Sequence, residues 1–304
     1  MDGIVTRVAR DYGFFMKNKV DATLMEFEAG EDLDKLVAGD VDFGFTSTAE
    51  LPKLVNEGKP LCAVLPIAAD SCYALVRRDS SYRGLPDLRG HKIGLVRWEC
   101  ASSSSLQVLS KKLYGISSER SFKFRFARCD ELIEMLAGGK IDATVLWEPF
   151  VTRMLTGEKA RFRAILGPFS KAWDRRVRGK GTMISMLTTT PKMVAENPGE
   201  ASGVVTSFSE ALSYAMKNAT RVVNRYEKEI GITDAPGKRA MARVLADGSS
   251  LVTDFTAADI MTQYRFMKLE ADLGVLIDRF PDAALFYKLS RGLFRAIPFA
   301  SNTS

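Results

Sequence analysis

Two runs of hydroxyl-bearing residues, 46–48 and 102–105, stand where a β-type run gives way to a helical one. The first turn of a helix carries unpaired backbone N–H groups and roughly half a positive charge, so it attracts anions without a basic side chain. Thr46 and Ser47 either contact an anion or only cap their helix, and the two roles are compatible. Ser102 presents a second helix N-terminus in the same way. These residue types therefore predict a site for a small anion.

Charged and aromatic side chains accompany these turns. Arg97 precedes the second serine run, and its planar guanidinium suits a bidentate clamp on a planar anion; the alternative is a surface arginine paired with Glu99. Trp98 offers an apolar wall for a ligand. Trp147 offers another wall with one N–H donor, and Glu148 can accept from an amine or repel the wrong anion. The alternative for this last pair is a core tryptophan and a salt bridge.

Nucleophilic catalysis has less support in the sequence. The single histidine, His91, lies in a turn before a β-type run, on the side expected to face away from the ligand site. Cys72 or Cys100 would serve as a nucleophile, since a helix N-terminus lowers the pKa of a thiol, but no general base accompanies either. One histidine excludes zinc sites that need two imidazoles, and the four cysteines form no Cys-x-x-Cys pair. No catalytic residue, metal or cofactor is therefore predicted.

The composition is that of an ordinary globular chain. Its 304 residues include 43 Lys+Arg and 37 Asp+Glu, a net charge of +6, and 46% are hydrophobic. This length favours two structural units. No apolar run approaches the roughly 18–20 residues that span a bilayer, and the N-terminal residues lack the apolar stretch of a secretory signal. The chain is expected to be soluble and unanchored.

One stretch, residues 153–180, is strongly basic, with nine Lys or Arg residues against Glu158 and Asp174. It is either a docking face for an anionic surface or a solvated helix and loop. Aromatic residues are interleaved with the cations, but no helix-turn-helix or RNA-binding motif accompanies them. No nucleic-acid partner is predicted.

Short β-type runs alternate with helical stretches over most of the chain, which indicates an α/β fold with mostly parallel sheets. Residues 22–27 alternate as a strand, and a plan of strands and helices recurs, as a comparison of 38–45 with 139–146 illustrates. This repeat predicts two similar lobes. The C-terminal part is predicted to be helical, over 198–226, 237–244 and 257–273, with no further strand after it.

The economical arrangement is that the chain leaves the first lobe, builds the second and returns. Lobe I then comprises 1–77 and 185–304, with the C-terminal helices, and lobe II comprises 78–184. The two crossings, near 74–78 and 184–188, make a hinge, and the cleft between the lobes is the expected ligand site. Residues 71–73 (Ser-Cys-Tyr) precede the first crossing and either reach the ligand or form a structural turn with a buried thiol.

Five segments occur in an order and at spacings that resemble a known family. They are 9–15 (ARDYGFF), 39–45 (GDVDFGF), 73–79 (YALVRRD), 88–95 (LRGHKIGL) and 139–149 (GKIDATVLWEP). Together, over residues 8–195, they resemble the substrate-binding proteins of ABC importers for aliphatic sulfonates, nitrate and taurine. That family has the type-2 periplasmic binding protein fold and includes pyrimidine-precursor binders related to thiamine synthesis.

The resemblance implies a small anionic ligand of the sulfonate, nitrate, taurine or carboxylate type, an ABC permease in the inner membrane as partner, and a monomer. It places Trp147 and Glu148 at the mouth of the cleft. The turn at Arg97 and Trp98 is bulky where family members often carry Gly and Ser, which points to a different ligand.

The resemblance also implies a periplasmic location. Family members begin with a strand, whereas Met1 here stands almost at the first helix. The first strand and an export signal are therefore expected to be missing, and the location would be cytoplasmic if Met1 is the true start.

Two functions from different classes follow from the sequence. The first is a solute-binding component that closes on its ligand by hinge motion; it is favoured because the cleft candidates are helix caps, an arginine and aromatic rings. The second is an enzyme on the same fold, such as a desulfinase, a decarboxylase or an enzyme related to pyrimidine-precursor synthesis, that uses a cleft cysteine.

Overall fold

Two five-stranded sheets form the framework of the protein in the computed structural model, which describes residues 1–27, 31–156, 161–174, 177, 179–248 and 250–298. The strands are β1 (Gly44–Thr46), β2 (Cys62–Ala69), β3 (Tyr73–Arg77), β4 (Lys92–Leu95), β5 (Lys123–Phe126), β6 (Ala143–Leu146), β7 (Phe162–Leu166), β8 (Met183–Thr189), β9 (Phe286–Ser290) and β10 (Leu293–Ile297). This architecture confirms the predicted α/β class with two units.

Helices cover these sheets. They are α1 (Asp2–Asp11), α2 (Phe14–Lys17), α3 (Glu31–Ala38), α4 (Glu50–Asn56), α5 (Ala101–Tyr114), α6 (Ser118–Ser121), α7 (Cys129–Ala137), α8 (Phe150–Thr156), α9 (Phe169–Ala172), α10 (Pro191–Glu196), α11 (Pro198–Lys217), α12 (Ala219–Arg225), α13 (Glu227–Ile230), α14 (Ala235–Ala246) and α15 (Ala257–Leu273). In the part of the chain that the structure describes, none of the helices is both long enough and apolar enough to cross a bilayer.

Both sheets are mixed, so the expectation of mostly parallel sheets was wrong. The first has the order β1-β8-β2-β9-β10, with β8 antiparallel to both of its neighbours. The second has the order β5-β4-β6-β3-β7, with β4 parallel to β5 and β6 but β3 antiparallel to β6 and β7. Parallel neighbours need a crossover connection, which helices α5 to α7 supply around β4, β5 and β6. The chain enters β3 and β8 from the other sheet, so these strands can lie antiparallel to their neighbours without a crossover connection.

Two strand predictions also differ from the structure. Residues 22–27 form no strand. Strand β1 lies at the edge of the first sheet and, among the described residues, pairs only with β8. The described residues before β1 form helices and no strand, so residues 22–27 have no strand beside them with which to pair. The hairpin of β9 and β10 was not predicted. Its two-residue turn, Arg291 and Gly292, has positive φ at both positions, as a tight hairpin requires.

The chain passes between the two sheets at residues 70–72 and again between 167 and 182. Each passage lies a few residues before the crossing expected from the sequence, because β3 belongs wholly to the second sheet and β8 wholly to the first. Helix α15 forms a third link. Its Tyr264 and Met267 pack in the core of the first sheet, whereas Phe266 packs in the core of the second. The division of the chain into two lobes that move as units stays a prediction.

Candidate functional site

The turn between β1 and α4 is closed by a reciprocal pair of hydrogen bonds. The backbone N–H of Ser47 donates to Oε2 of Glu50, at 3.1 Å, and the N–H of Glu50 donates to Oγ of Ser47, also at 3.1 Å. This is the capping-box arrangement of a Ser-x-x-Glu sequence, which satisfies donors at a helix N-terminus. Ser47 therefore has a structural role in the turn that leads into α4, and contact between Ser47 and an anion stays a prediction.

An ion pair joins this turn to the second sheet. Nη2 of Arg97, which follows β4, donates to Oε1 of Glu50. The Glu50 side chain is 14% exposed and that of Arg97 is 36% exposed, so the pair is partly shielded from water. Arg97 was expected to contact an anion or to be a surface arginine paired with Glu99. Its partner in the structure is the carboxylate of Glu50, and contact between Arg97 and an anion stays a prediction. Glu50 thus holds two donors that the sequence assigned to an external anion: the guanidinium and the Ser47 N–H.

The loop between Arg97 and α5 is fixed by side-chain contacts to its own backbone. Oγ of Ser103 donates to the carbonyl of Arg97 at 2.5 Å, and the thiol of Cys100 donates to the same carbonyl at 3.1 Å. Oγ of Ser102 lies 3.1 Å from Sγ of Cys100. These contacts hold the Arg97 backbone against the N-terminus of α5, so the guanidinium projects toward α4 from a rigid base.

Thr46 and its neighbour Thr48 are also buried. Oγ1 of Thr46 lies 2.6 Å from Oγ1 of Thr188, a contact between β1 and β8. Oγ1 of Thr48 donates to Oε1 of Gln263 on α15 at 2.6 Å and accepts from the Met183 N–H at 2.9 Å. The structure therefore brings Ser47, Arg97 and Ser102 into one connected group with Glu50, and it places the Thr46 hydroxyl within the first sheet.

Trp147 and Glu148 form a second group around the first passage between the sheets. Oε2 of Glu148 accepts from the backbone N–H of Thr152 at 3.1 Å, and the Glu148 N–H donates to Oγ of Ser71 at 3.4 Å. Glu148 is 5% exposed, and burial raises its pKa. The ring of Trp147 meets that of Phe150 edge to face at 6.2 Å. Contact between either side chain and a ligand stays a prediction.

Trp98 lies in an aromatic cluster at the free edge of the second sheet. Its ring centroid is 5.1 Å from that of Phe124 and 6.4 Å from that of Phe126, both on β5. The alternation of Phe122, Phe124 and Phe126 along β5 is the sequence signal for this cluster, since alternate residues of a strand share a face. A role for Trp98 as a ligand wall stays a prediction.

A buried carboxyl pair that the sequence analysis missed lies between the sheets. Asp70, in the first passage, accepts from Oγ of Ser105 at 2.6 Å and from the Cys72 N–H at 3.1 Å. Glu270 on α15 accepts from Oγ of Ser104, and its second oxygen, Oε2, has no partner among the described residues. Burial raises the pKa of both carboxyls, and the Asp70 charge raises that of Glu270 further. Neither residue carries a local motif; only the long-range packing of α15 on α5 brings them near each other.

Comparison with known proteins identifies the family. Residues 4–221 match the family model described as NMT1/THI5 like. The chain belongs to the NMT1/THI5-like family. No curated protein sequence matched the chain.

Solved structures of similar fold accompany the family match. The periplasmic aliphatic sulphonate binding protein SsuA from Escherichia coli is 17% identical, with a TM-score of 0.71 over 99% of this chain and 92% of that one. The alkanesulfonate-binding protein SsuA from Xanthomonas axonopodis pv. citri, bound to MOPS, is 17% identical, with a TM-score of 0.74 over 94% and 95%. A Candida albicans protein described as having the generic periplasmic binding protein fold is 10% identical, with a TM-score of 0.67 over 91% and 88%. At these identities the likeness establishes the fold.

The cysteines of this NMT1/THI5-like chain differ in their surroundings. Cys72 is fully buried, and burial together with the Asp70 charge raises its pKa well above the ordinary value, which disfavours the nucleophilic thiolate. Cys100 contacts the serine hydroxyls of α5. His91 contacts Oη of Tyr82 at 3.1 Å and a carboxylate oxygen of Asp142 at 3.5 Å. Within the described ranges, no group of three or more His, Cys, Asp or Glu side chains could hold a metal ion.

The basic stretch 153–180 is only partly described, since residues 157–160, 175, 176 and 178 lie outside the described ranges. Three of its described cations have individual partners. Arg153 pairs with Asp130, Arg163 donates to the carbonyl of Ser80 at 2.9 Å, and Lys180 donates to that of Gly248 at 2.6 Å. These contacts support a structural role for these three residues.

Proposed function

We propose that the protein is the solute-binding component of an ABC import system and that it holds a small anionic ligand between its two sheets. The family match and the named sulfonate-binding proteins of similar fold support a binding role. The observation that carries the proposal for this chain is the meeting of Arg97, from the second sheet, with the N-terminus of α4, from the first. A guanidinium and a backbone N–H that converge from two bodies suit an anion that is captured by closure.

Glu50 satisfies the Arg97 guanidinium and the Ser47 N–H, so an entering anion replaces the Glu50 carboxylate at these donors. Opening at the two passages between the sheets, 70–72 and 167–182, separates Arg97 from Glu50 and admits the ligand. Ser102 and Thr46 then add hydroxyl donors, and Trp147, Trp98 and Glu148 border the apolar or amine part of the ligand.

The proposed partner is an ABC permease, and the proposed location is the periplasm. Both rest on the relatives, two of which are named as periplasmic or alkanesulfonate-binding proteins. Among sulfonate, nitrate, taurine and carboxylate ligands, sulfonates have the support of these two names.

A thermal unfolding experiment tests the binding role. Purified protein is heated with 1-propanesulfonate, taurine, nitrate or benzoate, each with its sodium or chloride counter-ion control. A ligand that binds only the folded protein adds about 2.7 kcal/mol of stability at a hundred times its dissociation constant. A concentration-dependent rise in melting temperature with one member of the panel supports the proposal. A well-folded sample that responds to none of them contradicts it.

An enzyme on the same fold is the second candidate, because Cys100 lies at the N-terminus of the fourteen-residue helix α5. His91 does not serve Cys100 as a general base in this arrangement, since its neighbours are Tyr82 and Asp142. Release of sulfite or carbon dioxide from the panel compounds, abolished by Cys100→Ser and retained by Cys129→Ser, would establish the enzyme and overturn the binding role.

A further inference from the structure

A cationic groove lies among the helices that follow the first sheet. It has a volume of about 720 Å³ and is lined by Met216, Lys217, Asn218, Ala219, Thr220, Arg221, Asn224, Ala235, Lys238, Arg239, Ala242, Arg243 and Ala246. One wall comes from the end of α11 and from α12, and the other comes from α14. Five lining residues are Lys or Arg, and among the described residues no Asp or Glu lines the groove.

Most of these cations have no acidic partner in the part of the chain that the structure describes. Lys238 pairs with Glu227 at 2.9 Å, just outside the groove. Lys217, Arg221, Arg239 and Arg243 form no ion pair with another described residue; Arg221 lies over the ring of Tyr12 at 5.7 Å. Like charges four residues apart on a helix, such as Arg239 and Arg243, repel and destabilise it slightly. Within the described residues nothing offsets the repulsion between Arg239 and Arg243, and a negatively charged partner in the groove would offset it.

The floor and length of the groove define the shape of its occupant. Ala235, Ala242 and Ala246 share one face of α14 and leave room for the close approach of another element. At 1.5 Å per residue this face is roughly 16 Å long, about three turns of a helix. Arg239 and Arg243 are four residues apart on α14, the spacing at which side chains on one helix are neighbours. Lys217 and Arg221 lie on the opposite wall, on either side of the junction between α11 and α12 at Asn218.

We propose that this groove binds an acidic amphipathic α-helix of a partner protein. The apolar face of that helix lies on the alanine floor, and carboxylates spaced four residues apart on its two edges pair with the cations of the two walls. A free phosphate ion needs donors that converge on a point, whereas these cations are spread along the groove. The family match ends at residue 221, so the α14 wall of the groove lies outside the matched segment, whereas the opposite wall lies largely within it.

The test uses fluorescence anisotropy with a labelled, alanine- and leucine-based helical peptide of about four turns that carries two rows of Glu at four-residue spacing. A second peptide of the same composition has its Glu residues distributed around the helix. The protein variants are Arg239→Gln/Arg243→Gln in the groove and, as the matched control, Lys112→Gln/Arg265→Gln on two exposed helix surfaces elsewhere. Circular dichroism and the melting temperature verify that both variants fold.

We expect saturable binding of the patterned peptide to the wild type and to the control variant. Binding to the groove variant should be weaker by at least about tenfold, the equivalent of two lost charge pairs, and should fall with added salt. Equal binding of the two peptides, or equal affinity of the groove variant, overturns the proposal. Inorganic phosphate or anionic phosphatidylglycerol vesicles that bind through Arg239 and Arg243 while the peptide does not would overturn it as well.

Discussion

Glu50 pairs with Arg97 across the two sheets while accepting the backbone N–H of Ser47. An internal carboxylate thus occupies the two donors that would otherwise bind an external anion. Glu50 begins α4 beside both of these donors, so its charge stays close to any anion that takes its place at Arg97. The relationship makes Glu50 a competitor for simple anions and a potential partner for the ammonium group of a zwitterion.

The substitution Glu50→Gln should therefore strengthen binding of 1-propanesulfonate. It should also lower the affinity for taurine relative to the affinity for 1-propanesulfonate. The change removes the carboxylate that competes for Arg97, and it removes the charge that would pair with the taurine ammonium. We expect about a tenfold gain for propanesulfonate, close to 1.4 kcal/mol. Isothermal titration calorimetry with both ligands measures the two affinities.

The control for this prediction is Glu57→Gln at the other end of α4, where the carboxylate pairs with Lys53. This variant should bind both ligands as the wild type does. If Glu50→Gln leaves the propanesulfonate affinity unchanged, Glu50 does not compete for Arg97.

The buried carboxyl of Glu270 should make the stability of the protein fall with rising pH. Burial raises its pKa well above the ordinary value of 4.5, with Ser104 as its hydrogen-bond partner and the Asp70 charge acting against ionisation. A raised carboxyl pKa means that the folded state holds its proton more tightly than the unfolded state. The contribution is complete below pH 4.5 and is lost as the pH rises through the raised pKa.

The variant Glu270→Gln tests this prediction, because glutamine fills the same volume and does not titrate. Urea unfolding at a series of pH values from 5 to 9 gives the free energy of unfolding. Each carboxyl with a raised pKa should contribute a decline of about 1.4 kcal/mol for each unit of its own pKa shift, and the wild type combines these contributions. The variant should show a shallower decline, the remainder belonging to Asp70 and Glu148, whose pKa values are also raised. Identical slopes would show that Glu270 does not control the pH dependence.

Gly167, in the second passage between the sheets, should tolerate no side chain. Its φ is +139°, and a Cβ there would lie 2.5 Å from a ring carbon of Tyr73 and 2.9 Å from the carbonyl oxygen of Cys72. We expect Gly167→Ala to lower the free energy of unfolding by about 1–3 kcal/mol beyond the cost of the backbone conformation alone.

Gly115→Ala supplies a lower limit for that cost, since Gly115 has φ of +63°, inside the left-handed region that other residues can adopt, and no atom within 4 Å of a Cβ. A residue with a Cβ in a left-handed conformation costs about 1–2 kcal/mol. Denaturant unfolding of both variants measures the difference. Equal losses in the free energy of unfolding would mean that Tyr73 and Cys72 move to accommodate a side chain at position 167 without strain.

The alternation of strands and helices was predictable because hydrophobic residues recur at a different spacing in a strand than in a helix. The helices predicted over 237–244 and 257–273 agree with α14 and α15 to within two residues at each end. Residues 22–27 show the limit of such signals: the alternation is present, but a strand forms only with a neighbour, and the described residues supply none. The direction of a strand relative to its neighbours also depends on the sheet from which the chain arrives. The hydrophobic periodicity of a segment carries no information about that direction.

At the candidate site, the sequence was enough to identify several of the polar residues, but it did not predict which residues they contact. Arg97 and Ser47 were identified from their positions after strands, and the Ser-x-x-Glu sequence would also have identified Glu50 as a capping residue. That Glu50 then accepts from Arg97, 47 residues away, depends on how the two sheets meet. The contact of Thr46 with Thr188 and the burial of Glu270 between α15 and α5 have the same origin.

A calorimetric titration of the Arg97→Gln variant with the panel ligand that stabilises the wild type tests the central claim most directly. Arg89→Gln, at an exposed arginine before β4, serves as the control. The account predicts one-to-one binding to the wild type and to Arg89→Gln, and binding to Arg97→Gln that is weaker by at least about tenfold, as loss of a charge-assisted contact requires. A folded Arg97→Gln protein that binds the ligand as tightly as the wild type would contradict it.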